Sequence, residues 1–202
     1  MNLDYKKAQE SYDKYAKVYA DNTFPRLLQF QLNHFISFLS KNAKILDAAC
    51  GCGRDTAYLT EEGFDVLGID ASEELIKEAQ KRTKNCKFQK MDFLNLDFQN
   101  EIFDGIWCMA GISSIPKEHI STALKGFHNV LKKDGILYID IREGHGQEIV
   151  QKQKYENAPF FYSYLTKQEL EDIIKGLGFQ ILSSEVSDNQ GKKWVEVFAK
   201  KI

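Results

Sequence analysis

Ile45-Leu46-Asp47-Ala48-Ala49-Cys50-Gly51-Cys52-Gly53-Arg54-Asp55 carries an apolar strand pattern into a glycine-containing turn and on into a helix. In a strand-to-helix turn, Gly51 and Gly53 have φ > 0 available and offer no Cβ to keep a ligand from the backbone. Asp70, nineteen residues beyond Gly51, ends the next apolar run, and a carboxylate there can accept both hydroxyls of a ribose. Turn and acid together point to an adenosine-type cofactor. A dinucleotide loop normally adds a third glycine, in G-x-G-x-x-G, for close helix packing. Thr56 holds that position here, and Asp47 at the start of the loop would oppose a diphosphate while suiting a ligand that bears an ammonium group. A nicotinamide- or flavin-dependent oxidoreductase is therefore the lesser reading.

Outward from this stretch, helical and strand patterns alternate from residue 43 to about residue 142, as in a parallel sheet with crossover helices. The pattern predicts strands over 44–48, 65–70, 86–91, 104–109 and 135–140. Ser72 reads as an N-cap ahead of Glu73 and Glu74, and Ile120, Leu124, Phe127 and Leu131 mark one helical face. Thr166-Lys167-Gln168-Glu169 reads as a capping box, with Gly176 and Gly178 ending that helix. Two strand-like runs, 179–186 and 193–199, flank an Asp188-Asn189-Gln190-Gly191 turn. Two helical segments, 4–21 and 24–40, precede the alternation, and the first sets Tyr12, Tyr15 and Tyr19 on one face. Residues 143–165, rich in Gly, Gln, Lys and aromatics, interrupt the pattern and read as an insertion near a site.

Composition bounds the possibilities. The 202 residues, 43% apolar with 14 Phe, 9 Tyr and 2 Trp, can bury a core without staples. Twenty-seven basic against 29 acidic residues, a net charge of −2, argue against affinity for nucleic acid or an anionic membrane. No apolar run reaches the ~20 residues of a bilayer span, and MNLDYKKAQE has no hydrophobic signal segment. Four cysteines are too few for a disulfide scaffold, and Cys50-x-Cys52 has no Cys or His partner at zinc-like spacing, so no metal is expected. The expectation is a soluble protein of the reducing cytoplasm.

With its motifs in order, the chain resembles the class I S-adenosylmethionine-dependent methyltransferases from about residue 40 to 142, and more loosely to the C-terminal hairpin. The motifs are Asp47-Ala48-Ala49-Cys50-Gly51-Cys52-Gly53, Gly68-Ile69-Asp70-Ala71-Ser72, Met91-Asp92-Phe93, Phe103–Met109 and the Asp134-Gly135 turn before the fifth strand. Ala49 stands in place of the family's first glycine, tolerable where φ is negative, and Asp134 in place of a proline. The runs Gly51–Thr56, Phe160–Tyr164 and Trp194–Ala199 are similar to small bacterial methyltransferases of the methyltransferase-11 and tellurite- or thiopurine-resistance type.

The resemblance implies a Rossmann-like, doubly wound α/β fold: a seven-stranded sheet of order 3-2-1-4-5-7-6 with the last hairpin strand antiparallel. It implies one domain, 41–202, capped by helices from 1–40. S-adenosyl-L-methionine is the implied cofactor and S-adenosyl-L-homocysteine the product. Asp47, Ala49, Gly51, Gly53, Arg54, Asp70, Ala71, Asp92, Phe93, Cys108 and Met109 are the implied cofactor residues, with Tyr12 and Tyr19 closing the pocket or facing the sulfonium.

A small-molecule acceptor is expected above the carboxyl ends of the fourth and fifth strands. Ser113 and Tyr164 are its expected walls, and His145, with Tyr162, the candidate catalytic group. Cys108-Met109-Ala110-Gly111 lacks the Asn/Asp-Pro-Pro-aromatic element of amino-methylating DNA enzymes, so nucleic acid is not the expected acceptor. A catalytically silent cofactor-binding regulator is the alternative. Acceptor identity, nucleophilic atom and oligomeric state stay open.

Overall fold

Alternating apolar residues in β1 (Lys44–Ala48), β4 (Phe103–Cys108) and β5 (Leu131–Glu143) face two separate cores, and this makes them the centre of a sheet covered on both sides. Ile45, Trp107, Ile136 and Tyr138 pack on one side with Leu32 and Phe35. Leu46, Ile106, Leu137 and Ile139 pack on the other with Leu124 and Phe127. The computed structural model describes residues 3–189 and 191–202, so Gln190 of the expected turn lies outside the described residues.

The other elements, in chain order, are α1 (Leu3–Lys14), α2 (Ala16–Thr23), α3 (Gln29–Ser37), α4 (Arg54–Glu61), β2 (Asp65–Asp70), α5 (Glu73–Arg82), β3 (Lys87–Lys90) and α6 (Lys117–Val130). After β5 come β6 (Gln147–Lys152), β7 (Ala158–Leu165), α7 (Lys167–Gly176), β8 (Phe179–Asn189) and β9 (Lys192–Lys201). Strands β3-β2-β1-β4-β5 are parallel neighbours; β9 runs antiparallel to β5, and β8 antiparallel to β9. With β8 and β9 counted as the sixth and seventh strands, this is the expected order.

One expectation gains detail and one needs correction. The 143–165 stretch is a β6–β7 hairpin, whose strand β7 adds to the end of β5 through the pairs Arg142↔Tyr164 and Glu143↔Leu165. There β5 has outrun β4, which ends opposite Ile139, and a free edge is available to β7. The predicted helix 4–21 breaks at Tyr15 (φ −112°, ψ 20°), and the one predicted from 24 starts only at Gln29, since Leu28 is not helical (φ −90°, ψ 65°). Across the break Tyr12, Tyr15 and Tyr19 still pack against one cluster with Tyr155 and Phe160, and the Tyr15 hydroxyl donates to Glu156 at 2.9 Å.

The N-terminal helices are pinned over the carboxyl end of the sheet. Asp13 of α1 accepts from the Ser72 hydroxyl at 2.6 Å, while Tyr5 and Tyr12 meet Phe161 and Phe160 of β7 edge-on at 5.1 and 5.0 Å. Among the described residues no helix is long and apolar enough to cross a membrane. All four cysteines are free thiols.

The capping box of α7 forms as read: Glu169 N–H donates to Thr166 Oγ1 at 3.2 Å, and Thr166 N–H to Glu169 Oε2 at 2.8 Å. Thr166→Ala should cost about 1 kcal/mol. The measurement is a urea midpoint that falls with its slope unchanged; an unmoved midpoint would show that the box contributes nothing.

Candidate functional site

Past β1 the chain makes its turn through three left-handed residues, Ala49 (φ 63°), Gly51 (φ 54°) and Gly53 (φ 80°), and enters α4. Cys50 N–H donates to Ile69 carbonyl at 2.9 Å, Gly51 N–H to Asp70 Oδ2 at 2.9 Å, and Ser72 N–H to Asp70 Oδ1 at 2.9 Å. Both carboxylate oxygens of Asp70 are thereby aimed, each with a lone pair to spare. The condition attached to Ala49, a negative φ, is not met. A left-handed alanine costs on the order of 1–2 kcal/mol, and the position tolerates its methyl because residue 111 is glycine, where a Cβ would lie 2.8 Å from it.

The two turn glycines differ in purpose. A Cβ on Gly51 would touch the Tyr19 ring, 3.8 Å away, where the glycine lines a cavity. A Cβ on Gly53 would collide with Phe88 at 2.6 Å and Ala79 at 2.9 Å, so Gly53 serves packing and lines no cavity. Thr56, in the third-glycine position, fits because Gly68 faces it: a Cβ there would lie 2.7 Å from Thr56 Oγ1. That hydroxyl donates to Asp47 at 2.5 Å.

Two cavities flank the turn at the carboxyl end of the sheet. The first is walled by Asp70, Ala71, Asp92 and Phe93, as expected, and also by Gln9, Leu75, Ser114 and Ile115. The second is walled by Tyr162, by Asp47 and Arg54, both expected at the cofactor, and also by Arg26, Arg142, Lys152, Lys154, Tyr155 and Trp194. Tyr12, Tyr19, Ala49, Gly51, Met109 and Ala110 line both, so the cavities meet along one wall.

Besides Gly53, four expected residues lie elsewhere. Cys108 is fully buried beneath Gly111, in the core. Ser113 is buried and donates to the Ala110 carbonyl at 2.8 Å; its neighbour Ser114 takes the wall position, because the short 3-10 turn Ile112–Ser114 rotates Ser113 inward. Tyr164 turns to the carboxylate of Glu148 across the β6–β7 hairpin. His145 sits exposed in the turn between β5 and β6 and lines neither cavity.

The second cavity's cations were not readable in advance, because they converge only once 143–165 folds back as a hairpin. The one available signal was Arg142, two residues past Asp140 at the carboxyl end of the fifth strand.

Burial governs the electrostatics of the turn. It pushes the Asp70 carboxyl up to about 6 against the two N–H groups that favour its charge. It pushes Asp140 up to about 7, although the Ala110 N–H donates to it, and Asp47 well above the usual carboxylate range, helped by nearby Asp55. The Arg54 guanidinium is held by Asp55 at 2.7 and 2.8 Å, and Asp55 also accepts from the Trp107 indole at 3.0 Å. Burial raises the phenols of Tyr12 and Tyr19, so both are neutral donors at ordinary pH. Lys152 goes the other way, down to about 8, through burial first and then Lys154, Lys192 and Arg142.

These shifts have a consequence for stability. Asp47, Asp70 and Asp140 keep protons in the folded chain that an unfolded chain has lost, so stability falls as pH rises from about 4 to about 7. His128, lowered by burial, acts in the opposite sense, and so, at the acid end of the range, do the paired carboxyls of Asp104 and Glu169, which are held low. The thermal midpoint of the ligand-free protein should therefore drop between about pH 5 and about pH 7, and Asp140→Asn should flatten the drop. A midpoint that climbs over that range would contradict the buried-carboxyl assignment.

Known proteins place the chain. A family profile described as "Methyltransferase domain" matches residues 45–135. The ubiquinone/menaquinone biosynthesis C-methyltransferase UbiE of Campylobacter jejuni is 31% identical over 175 residues, with 72% of this chain and 74% of that protein covered. The putative methyltransferase YqeM of Bacillus subtilis is 34% identical over 110 residues, covering 51% of this chain and 44% of that protein, so the chain spans less than half the length of that relative.

Among solved structures, a Burkholderia thailandensis 1,6-didemethyltoxoflavin-N1-methyltransferase shares the fold with a TM-score of 0.72 at 24% identity, over 98% of this chain and 86% of that one. The motifs of the turn, the paired cavities and these likenesses converge: the chain belongs to the class I S-adenosylmethionine-dependent methyltransferases.

Proposed function

We propose that this chain transfers a methyl group from S-adenosylmethionine, held in the first cavity, to a small-molecule acceptor held in the second. The observation that carries the reading is the shared wall, where Tyr12, Tyr19, Met109 and Ala110 border both cavities and bring a donor in one beside an acceptor in the other. The Burkholderia protein named above has S-adenosylhomocysteine and 1,6-didemethyltoxoflavin bound, one cofactor product and one small acceptor.

The residues present fit the cofactor. Asp70, fixed by the Gly51 and Ser72 N–H groups, accepts the two ribose hydroxyls with its remaining lone pairs. Asp92, one oxygen of which takes the Leu94 N–H at 2.9 Å, offers the other to the adenine amine. Leu75, Phe93 and Ile115 supply apolar walls for the base. Gly51, without a Cβ, leaves the sulfonium room beside Tyr19 where the two cavities meet, and the amino-acid end crosses that shared wall toward Asp47 and Arg54. When bound, S-adenosylmethionine supplies an electrophilic methyl group on a positively charged sulfur.

The chain's own contribution is orientation and exclusion of water, which together account for much of the barrier to an in-line displacement. Buried neutral phenols suit both tasks. Tyr162, whose phenol burial pushes up to about 12, serves as a hydrogen-bond donor rather than a base. His145 has no part in this scheme, being exposed on its turn. The four free thiols are compatible with work in a reducing cytoplasm.

Titration with S-adenosylhomocysteine tests the cofactor site. Asp70→Asn removes the charge behind hydrogen bonds worth about 1.5–3 kcal/mol each, so affinity should fall by about tenfold or more. Because Asp70 must be ionised to accept the hydroxyls, wild-type affinity should also weaken as pH falls below about 6, and the variant should lose that dependence. Equal affinity in a folded variant would remove Asp70 from the site. Cofactor bound but no methyl consumed with any acceptor would favour the silent regulator.

A further inference from the structure

We infer that the methyl acceptor is an anion, a small molecule with a ring-sized apolar body and a carboxylate or phosphate group that docks on Arg142 and Lys152. The inference rests on the methyltransferase reading and names the substrate class of its second cavity.

Charge is the first argument. Arg26, Arg142, Lys152 and Lys154 all line this cavity, and among the described residues none of them has a carboxylate partner at ion-pair distance. Elsewhere cations are commonly paired, as in Lys17–Asp21 at 2.9 Å, Lys87–Asp65 at 2.6 Å and Lys132–Asp104 at 2.7 Å. The acids within the cavity do not cancel this excess. Asp55 is committed to Arg54 and Trp107, and the Asp47 carboxyl is bonded by Thr56 and held toward its neutral form by burial. Glu156, near the cavity, accepts from Tyr15 and lies 4.0 Å from Lys14.

The second argument is a missing partner. Arg142 Nε is buried and, among the described residues, has no hydrogen-bond acceptor. Its guanidinium lies 4.4 Å from the Trp194 ring and 5.6 Å from the Tyr162 ring, which hold the planar group in place without neutralising it. A guanidinium fork so held matches the two oxygens of a carboxylate or phosphate. Lys152 approaches from β6, over the Phe160 ring at 4.1 Å, and donates to the Tyr162 hydroxyl. Its ammonium is crowded by like charges, which an arriving anion relieves.

The third argument is shape. Tyr12, Tyr19, Tyr155, Tyr162 and Trp194 give the same cavity aromatic walls, so a flat apolar body fits between the cations and the shared wall. The anionic group then holds the acceptor by the end remote from the cofactor, with its opposite end toward Met109 and Ala110.

The test is calorimetric titration with benzoate and with phenyl phosphate, each against neutral benzamide, on protein with and without saturating S-adenosylhomocysteine. The anions should bind and benzamide should not, with the tighter anion identifying carboxylate or phosphate as the preferred group. Arg142→Met and Lys152→Met should each weaken anion binding by about tenfold or more, the scale of a lost charge-assisted hydrogen bond. Their S-adenosylhomocysteine affinity should not change. Arg142→Lys, which keeps the charge but not the fork, should fall between, and Lys152→Met carries the test should Arg142→Met not fold.

Benzamide binding as well as benzoate, anion affinity indifferent to both methionine variants, or S-adenosylhomocysteine binding with no anion binding would each overturn the proposal. Anion binding without any S-adenosylhomocysteine binding would instead sink the methyltransferase reading, and the acceptor assignment with it.

Discussion

The Asp70 carboxylate takes one N–H from Gly51, in the turn after β1, and one from Ser72, in the turn after β2, so a single side chain ties together the two loops that shape the first cavity. Neither loop has that conformation by its own means. The first holds an alanine at φ 63°, and the second must deliver Ser72 both as N-cap to Leu75 and as donor to Asp13 of α1. The chain meets the cost of burying Asp70 by giving its oxygens backbone donors, and the same donors leave the lone pairs directed into the cavity. Loop geometry, the seating of α1 and the proposed ribose contact thus depend on one half-buried acid.

Around that acid, the glycines show how a departure from a familiar pattern is absorbed. Thr56 replaces a glycine in sequence, and the space it requires comes from Gly68 on the neighbouring strand; Ala49 replaces another, and its space comes from Gly111. The hydroxyl gained at Thr56 then satisfies Asp47, which is buried and would otherwise lack a side-chain donor. Close packing makes such exchanges reciprocal, since volume added on one element has to be removed from the one it faces.

The second cavity is assembled by different means. Its cations come from the segment before α3, the end of β5 and the β6–β7 hairpin, elements far apart in the chain, and among the described residues none of them has an ion-pair partner. Aromatic rings from α1, α2, β7 and β9 surround them. Holding like charges together under partial burial is unfavourable in the empty protein, as the depressed Lys152 shows, and such an arrangement is stable only because β5, β7 and β9 pair rigidly beneath it.

Local pattern was enough to read the five parallel strands, the Ser72 and Thr166 caps and the Asp47–Gly53 turn, because hydrophobic period, capping chemistry and glycine conformation act over a few residues. The same pattern singled out Asp70, and the family resemblance Asp92, both of which line the first cavity. It misplaced Ser113, Tyr164 and His145, whose outward or inward turn depends on a 3-10 turn and a hairpin with no periodic signal of their own. The sequence by itself determined the sheet and the cofactor turn. Tertiary structure alone decided that Arg26, Arg142, Lys152 and Lys154 face one cavity, because charges 126 positions apart at Arg26 and Lys152 meet only when the β6–β7 hairpin adds to the free edge of β5.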